Sequence, residues 1–236
     1  MEIATTPVTP RERQISMSNE LVRKSIHLSS LAIVIFYAFV PESTLLWILL
    51  PLTILAFVID YGRHYVPVVD KMFQMVFGKI LRPHETDSRK KLLSGGTYVL
   101  ISAVFCVVLF PKVIAITSFA TLIVSDATSA LIGRRFGRHR FFDKSVEGST
   151  AFLVSAMIVV ALAPKVLGLP IEYGIGFVGV LVGTLVEAMS VRLKLDDNFS
   201  VPSSVGITMW LCYLLLSLGA DPRYSALYTH LVHGPQ

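Results

Sequence analysis

The residues best able to do chemistry lie together between Ser125 and Ser149, directly after a long apolar run. Asp126 is placed where that run would already be inside a bilayer, and an ionised carboxylate is costly there unless a partner compensates its charge. Glu147 adds a second acid, and between the two acids come the cations Arg134, Arg135, Arg138, Arg140 and Lys144. Carboxylates bind Mg2+, and Arg and Lys neutralise phosphates. The combination therefore suits a nucleotide triphosphate with its divalent metal. An ion pair between Asp126 and an arginine of the following segment is the structural alternative.

Small residues accompany Asp126 along one side of the predicted helix. Ala130, Gly133 and Gly137 follow it at steps of four, three and four residues, so all of them share one face. Such a face is open beneath the acid and lets another group approach the backbone closely. Alone, Gly133 and Gly137 also form a G-x-x-x-G pattern, which is common where membrane helices pack.

The composition indicates an integral membrane protein. Of 236 residues, 53% are hydrophobic and only 16% are charged, which is too apolar for an ordinary soluble domain. Apolar runs, each near the roughly 20 residues that a spanning helix needs, cover residues 21–40, 44–60, 92–110, 113–132, 150–168, 171–189 and 201–219. The sequence therefore predicts an all-α, polytopic helix bundle with about seven transmembrane helices.

The domain organisation is simple. Residues 1–18 are polar and predict a flexible cytoplasmic tail, and residues 19–236 form a single transmembrane catalytic domain. Within it, residues 66–81 alternate apolar side chains with Lys71, Gln74 and Lys79, a pattern typical of an amphipathic helix on the cytoplasmic face.

The basic residues predict the orientation. Most of the 21 Lys and Arg residues fall on the N-terminal side or in the even-numbered loops, which places the N-terminus in the cytoplasm and the C-terminus outside. The net charge of +5 then reflects an anionic membrane surface and an anionic substrate, with no need of nucleic acid. We expect the cell inner membrane in a prokaryote, or the endoplasmic reticulum or a plastid membrane in a eukaryote.

Two further groups of polar residues border the spans. Arg23, Lys24 and His27 gather on one side of the first helix, near its start. Positive-inside anchoring explains the first two equally well. Near the end of the sixth run come Glu187 and then Asp196, Asp197 and Asn198. The last group suits either a Mg2+ site or the cap of the next helix.

At these residues the chain resembles the membrane superfamily that uses CTP. Its members include the dolichol, phytol, farnesol and diacylglycerol kinases and the related phosphatidate cytidylyltransferases. The shared pattern is S-D-x-x-A/S-x-x-x-G-x-x-x-G followed by K-S-x-E-G-S. It is matched here by Ser125, Asp126, Ser129, Gly133, Gly137, Lys144, Ser145, Glu147, Gly148 and Ser149.

Three flanking patterns resemble the kinase branch rather than the cytidylyltransferases. They are R-K-x-x-H from Arg23 to His27, R-x-x-E from Arg82 to Glu85, and Glu187 followed by D-D-N-x-x-x-P from Asp196. The resemblance implies a lipid kinase that transfers the γ-phosphate of CTP to a polyprenol, a phytol-type alcohol or diacylglycerol. A phosphatidate cytidylyltransferase is the alternative. A transporter is a more distant one, since the sequence has no internal repeat and its charges concentrate on one side.

The resemblance also implies roles for the residues. Asp126, Glu147 and Asp197 would hold Mg2+, and Asp126 or His27 would serve as base. The remaining members of the nucleotide-binding set are Arg23, Lys24, Ser125, Gly133, Arg134, Arg135, Gly137, Lys144, Ser145, Gly148 and Ser149. The expected partners are CTP, a membrane lipid alcohol and the bilayer, and a homodimer is compatible with the sequence.

Overall fold

The computed structural model describes residues 16–81, 92–219 and 222–233. Helices make up nearly all of its regular structure. Its elements, in chain order, are α1 Met17–Ser29, α2 Leu31–Phe39, α3 Glu42–Gly62, α4 Pro67–Phe77, α5 Gly95–Leu109, α6 Lys112–Phe136, β1 Arg140–Phe141, β2 Lys144–Ser145, α7 Val146–Leu162, α8 Pro170–Ala188, α9 Ser190–Leu193, α10 Asp197–Ser217 and α11 Pro222–His233.

Five helices in the described part of the chain are long and apolar enough to cross a membrane, judged by length and composition. They are Met17–Phe39, which joins α1 and α2, Glu42–Gly62, Lys112–Phe136, Pro170–Ala188 and Asp197–Ser217. The apolar helices α5 and α7 have only 15 and 17 residues, less than the roughly 20 of a typical span. The predicted helical membrane bundle is confirmed, and the count of seven spans stays a prediction.

A short β-hairpin interrupts the helices between α6 and α7. Its two strands are antiparallel, with Arg140 opposite Ser145 and Phe141 opposite Lys144. Phe142 in the turn has a positive φ of 49°, a conformation that reverses the chain tightly. The sequence predicted helices alone, because strands of two residues leave no alternating pattern to detect.

The central helix of the bundle is α6. Its spanning window is 78% buried, compared with 11% for that of α3, and it packs against α1, α2, α5, α7 and α10. Ile114, Leu122 and Ile123 of α6 are fully buried. A helix that is apolar on all sides belongs in such a position. Asp126 is therefore held among the other helices and away from the lipid-facing surface.

Glycines bring α8 into close contact with α7 and α10. A Cβ atom at Gly176 would lie 2.4 Å from Val160 Cγ1 of α7, and one at Gly183 would lie 2.5 Å from Val205 Cγ2 of α10. Both distances are far below van der Waals contact, so these helices approach closely only because glycine is present. Gly174, on the same helix, has nothing within 4 Å of its Cβ position.

A buried carboxylate joins the end of α3 to the start of α5. Asp60 forms an ion pair with Arg63, with 2.8 Å between Oδ1 and Nε. Its other oxygen accepts hydrogen bonds from the backbone N–H of Ser94 and the hydroxyl of Thr97, each at 2.6 Å. Because Ser94 and Thr97 belong to the first turn of α5, Asp60 satisfies donors that a helix start leaves without partners.

The amphipathic segment predicted at residues 66–81 contains α4. Phe73 is buried on its inner side, with the guanidinium of Arg63 lying 4.5 Å from its ring centroid. Val68, Met72 and Met75 are exposed on the other side. The exposed side of α4 thus carries apolar residues as well, and an amphipathic helix on the cytoplasmic surface stays a prediction.

The glycine contacts of α8 lead to a stability prediction. Gly183→Ala should lower the free energy of unfolding by about 1–3 kcal/mol, because the stiff side chain of Val205 must move to admit the added methyl group. Gly174→Ala is the matched control and should leave stability unchanged or slightly raised, since its added methyl group meets open space. Thermal unfolding of the purified protein in detergent measures both. Equal stability of the two variants would contradict the tight contact.

Candidate active site

Asp126 forms a buried ion pair with Lys24, which comes from α1, the first described helix. Both side chains are almost fully inaccessible. His27, on the same side of α1, places Nε2 at 3.5 Å from Asp126 Oδ2. The predicted alternative was an arginine of the following segment, and that partner is wrong. The charge that compensates Asp126 comes from a lysine 102 residues earlier in the chain.

A second lysine bridges two more carboxylates nearby. Lys144 Nζ lies 3.0 Å from Glu187 Oε1 and 3.4 Å from Asp197 Oδ2. Ser129, on α6 three residues after Asp126, donates a hydrogen bond of 3.1 Å to Glu187 Oε1. We call Lys24, Asp126, Lys144, Glu187 and Asp197 the charge cluster. The cluster connects α1, α6, β2, α8 and α10.

Three carboxylates act on the charge of Lys144. Burial alone would lower the pKa of Lys144, but the carboxylates of Asp197, Glu187 and Asp126 outweigh burial and raise this pKa above its usual range. The lysine therefore stays charged at physiological pH.

The hairpin holds Lys144 in place. In its turn, Asp143 donates its backbone N–H to the carbonyl of Ala188 at the end of α8, at 3.0 Å. The carboxylate of Asp143 accepts hydrogen bonds from the backbone N–H and the Nε of Arg192, at 2.9 and 3.2 Å. The loop is thus anchored to the residues just beyond α8, and Lys144 in β2 is fixed relative to Glu187.

Glycines close the gap between α6 and α7 beside the cluster. A Cβ atom at Gly133 would lie 3.3 Å from Gly148 Cα, and one at Gly137 would lie 2.7 Å from Ser145 Oγ. Ser145 caps α7 by accepting the backbone N–H of Gly148 at 3.1 Å. The face that the sequence predicted to be open beneath Asp126 is therefore covered here by the start of α7. Contacts of Gly133, Gly137, Ser145 and Gly148 with a nucleotide stay predictions.

Arginines lie around the cluster. Arg23 pairs with Glu20 at 2.6 Å, so the neighbouring basic residues of α1 point to different partners. Arg134 is half-buried at the end of α6, and Arg135 is exposed there, with its guanidinium 5.4 Å from the ring centroid of Phe136. Both lie where a polyanion could reach them.

Two of the predicted acids accept hydrogen bonds from backbone N–H groups in this structure. Glu147 accepts hydrogen bonds from the backbone N–H groups of Arg138 and His139, at 3.1 and 3.3 Å, and pairs with the His139 ring at 2.8 Å. Asp196 begins α10 by accepting the backbone N–H and the side-chain amide of Asn198, at 3.0 and 2.9 Å. The capping interpretation of Asp196 is confirmed, and metal ligation by Glu147 stays a prediction.

Two serines of the shared motif have buried hydroxyls with no hydrogen-bond partner within the described ranges. They are Ser125, next to Asp126, and Ser149, in the first turn of α7. A buried hydroxyl without a partner costs free energy. Arg82 and Glu85, predicted from the kinase-branch pattern, lie outside the described residues.

The arrangement does not fit a resident metal ion. Mg2+ takes hard oxygen ligands, and Asp126, Glu187 and Asp197 have that chemistry; one oxygen of Glu187, Oε2, is buried with no partner in the described chain. Across residues 16–81, 92–219 and 222–233, however, no three acidic, histidine or cysteine side chains converge closely enough to hold an ion. The ammonium groups of Lys24 and Lys144 contact these carboxylates instead.

Sequence reasoning named every residue of the charge cluster but missed how they pair. Lys24 was assigned to phosphate and Asp126 to metal, yet they contact each other. The pairing of Ser129 with Glu187 joins residues 58 positions apart, and no local spacing encodes such a contact. Charge balance was the available signal, because acids and lysines predicted at the same membrane edge must compensate one another.

The sequence is similar to several known proteins. It is 32% identical over 185 residues to the uncharacterized protein RP860 of Rickettsia prowazekii, covering 78% of this chain and 90% of that protein. It is 31% identical over 170 residues to the probable phytol kinase 2, chloroplastic, of Glycine max, covering 66% of this chain and 56% of the soybean protein.

A third relative is named for the nucleotide it uses. The CTP-dependent diacylglycerol kinase 1 of Schizosaccharomyces pombe is 25% identical over 175 residues, covering 68% of this chain and 76% of the yeast protein. No protein-family model and no solved structure matches the sequence. The names of the kinase relatives agree with the resemblance drawn from the motif that contains Asp126 and Lys144. The chain therefore belongs to the family of CTP-dependent membrane lipid kinases.

Proposed function

We propose that this protein transfers the γ-phosphate of CTP to an alcohol embedded in the membrane. The observation that carries the proposal is the charge cluster, in which Lys24 and Lys144 are held beside buried carboxylates within a membrane bundle. Phosphoryl transfer needs little covalent chemistry from a protein and depends on positioning and on charge stabilisation. The names of the soybean and yeast relatives support the same class of reaction.

The proposed reaction uses the cluster as follows. The lipid hydroxyl oxygen forms a bond to the γ-phosphorus, the bond from that phosphorus to the bridging oxygen breaks, and CDP leaves. The hydroxyl proton passes to Asp126, directly or by way of His27, which lies 3.5 Å from it. Lys24 and Lys144 each carry three N–H donors, so they can contact phosphate oxygens while keeping a carboxylate partner.

The arginines around the cluster suit the rest of the triphosphate. Arg23 lies beside Lys24, and Arg134 and Arg135 end α6 close to the hairpin. Arginine binds phosphate oxygens in a fork geometry that a single ammonium cannot offer. We assign Arg134 and Arg135 to the incoming nucleotide, and Arg23 to the triphosphate or to the product phosphate.

Mg2+ is proposed to arrive bound to CTP rather than to reside in the protein. The carboxylates with suitable chemistry are already paired with lysines, whereas Mg2+ in nucleotide sites is held largely by phosphates and water. Asp126 and Asp197 would be the nearest protein ligands. The choice of CTP follows the family resemblance and the name of the yeast relative.

The function is tested by a transfer assay with labelled nucleotide. Purified protein, Mg2+ and a mixed lipid extract are incubated in parallel with CTP labelled at the γ-phosphate and at the α-phosphate, with a chelator as control. Label should enter the lipid fraction from the γ position alone, and only when Mg2+ is present. Label entering from the α position would instead show cytidylyl transfer to phosphatidate, the alternative activity within this superfamily.

The charge cluster predicts the effect of removing one carboxylate. Asp126→Asn keeps the side-chain shape but removes the charge that holds Lys24 and accepts the proton, so turnover should fall by about a thousandfold or more. The matched control is Glu172→Gln. Glu172 is equally buried but caps the start of α8, accepting the backbone N–H groups of Val166 and Leu169.

The control separates chemistry from folding. Glu172→Gln should lower thermal stability and leave the turnover of the folded fraction close to that of the wild type. Circular dichroism and elution from a sizing column show how much of each variant is folded. Wild-type turnover in Asp126→Asn would remove Asp126 from the proposed reaction.

The proposed topology places the site at the cytoplasmic side of the membrane. Lys24 lies in the first half of the helical stretch Met17–Phe39, and Asp197 begins α10, so the cluster is on the same side as the N-terminus of the bundle. Green fluorescent protein fused after residue 236 should be dark in a bacterial host, and alkaline phosphatase fused there should be active. A fluorescent C-terminal fusion would require an even number of spans.

A further inference from the structure

A large apolar cavity lies between α1, α3, α4 and α5, and the charge cluster does not account for it. Its volume is about 470 Å³. Two of its wall residues, Leu52 and Leu55 of α3, remain 47% and 57% exposed. The cavity is therefore open sideways, through the surface that α3 presents to the bilayer. Other apolar wall residues are Ala56, Ile59, Phe73 and Phe77.

One end of the cavity is polar and lies next to the charge cluster. Arg23 and His27 of α1 and Asn198 of α10 line that end. The side chain of His27 is only 9% exposed, and its Nε2 has no hydrogen-bond partner among the described residues. The same ring approaches Asp126, with 3.5 Å between Nε2 and Oδ2. His27 thus connects the cavity to the proposed reaction centre.

Helix α4 forms one wall. Phe73 and Phe77 line the cavity, whereas Val68, Met72 and Met75 are exposed on the outer side. Apolar side chains on both sides of α4 suit a position between the cavity and the hydrocarbon of the bilayer.

The volume suits a hydrocarbon chain. Sites for small organic molecules typically have about 300–1,000 Å³, and the 470 Å³ of this cavity lies within that range. Because the cavity is open toward the bilayer, a chain longer than the cavity can continue into the hydrocarbon.

We propose that this cavity binds the hydrocarbon chain of the acceptor alcohol. The proposal rests on the lipid kinase function proposed above. The chain enters between α3 and α4 from the bilayer, and its hydroxyl group lies at the polar end, against Arg23, the ring of His27 and Asn198. The apolar walls exclude water from the chain, and His27 lies between the hydroxyl and Asp126, with 3.5 Å between Nε2 and Oδ2.

The test compares two tryptophan substitutions on α3, one inside the cavity and one on the outer face of the helix. Ala56→Trp places an indole inside it, whereas Val58→Trp places the same group on the outer face of α3, where Val58 is 59% exposed and does not line the cavity. The measured quantity is kcat/KM of the full-length protein for single-chain alcohols of about 10 and 20 carbons. Ala56→Trp should reduce the value for the longer alcohol about tenfold relative to the shorter one. Val58→Trp should leave the ratio unchanged.

Each result decides between the two proposals. Retained activity on the shorter alcohol shows that Ala56→Trp is folded, and an unchanged ratio in that variant would overturn the cavity assignment. Absence of phosphate transfer to any alcohol would instead remove the proposed function.

A binding measurement independent of turnover then tests the cavity itself. A photoreactive single-chain alcohol of about 16 carbons should label cavity residues such as Leu55 and Phe73 in the wild type, as mapped by mass spectrometry. The labelling should be lost in Ala56→Trp and kept in Val58→Trp. Equal labelling in both variants would overturn the assignment even if the kinase reaction is confirmed.

Discussion

The structure depends on the neutralisation of carboxylates that lie within a membrane bundle. Asp126, Glu187 and Asp197 are all buried, and each is balanced by the ammonium of Lys24 or Lys144. Removing one partner of such a buried pair typically costs about 3–5 kcal/mol, because the other charge is left without compensation. The same pairs bring together helices that are distant in sequence. Charge compensation therefore positions α1, α6, α8, α10 and the hairpin relative to one another.

Close helix packing supplies the precision that these charges need. The contact of Gly133 with Gly148 sets the spacing of α6 and α7, and the tie between Asp143 and Arg192 fixes the hairpin against the end of α8. Lys144 thus approaches Glu187 from a rigid support. Glycines that a motif search assigns to ligand binding can serve a ligand indirectly, by letting two helices come close enough for charged neighbours to meet.

The sequence predicted the fold class well, because apolar runs and the cost of unpaired backbone groups in lipid leave few alternatives to helices. It also selected the members of the charge cluster, since acids at a membrane edge are rare and costly. It did not predict the pairing of Lys24 with Asp126, which depends on how the first helix packs against the fourth apolar run. The hairpin was missed because its strands are too short for a periodic pattern, and the cavity because its walls are ordinary Leu, Ile and Phe residues.

The anchoring of Asp60 has a mechanical consequence. Its ion pair with Arg63 and its hydrogen bonds to Ser94 and Thr97 fasten one end of α3 to α5, whereas the spanning window of α3 is only 11% buried along its length. The other end of the helix is also fixed, because Leu45 and Leu49 are buried in the core of the bundle. Helix α3 is therefore fastened near both ends, and its separation from α5 would require loss of the polar contacts of Asp60.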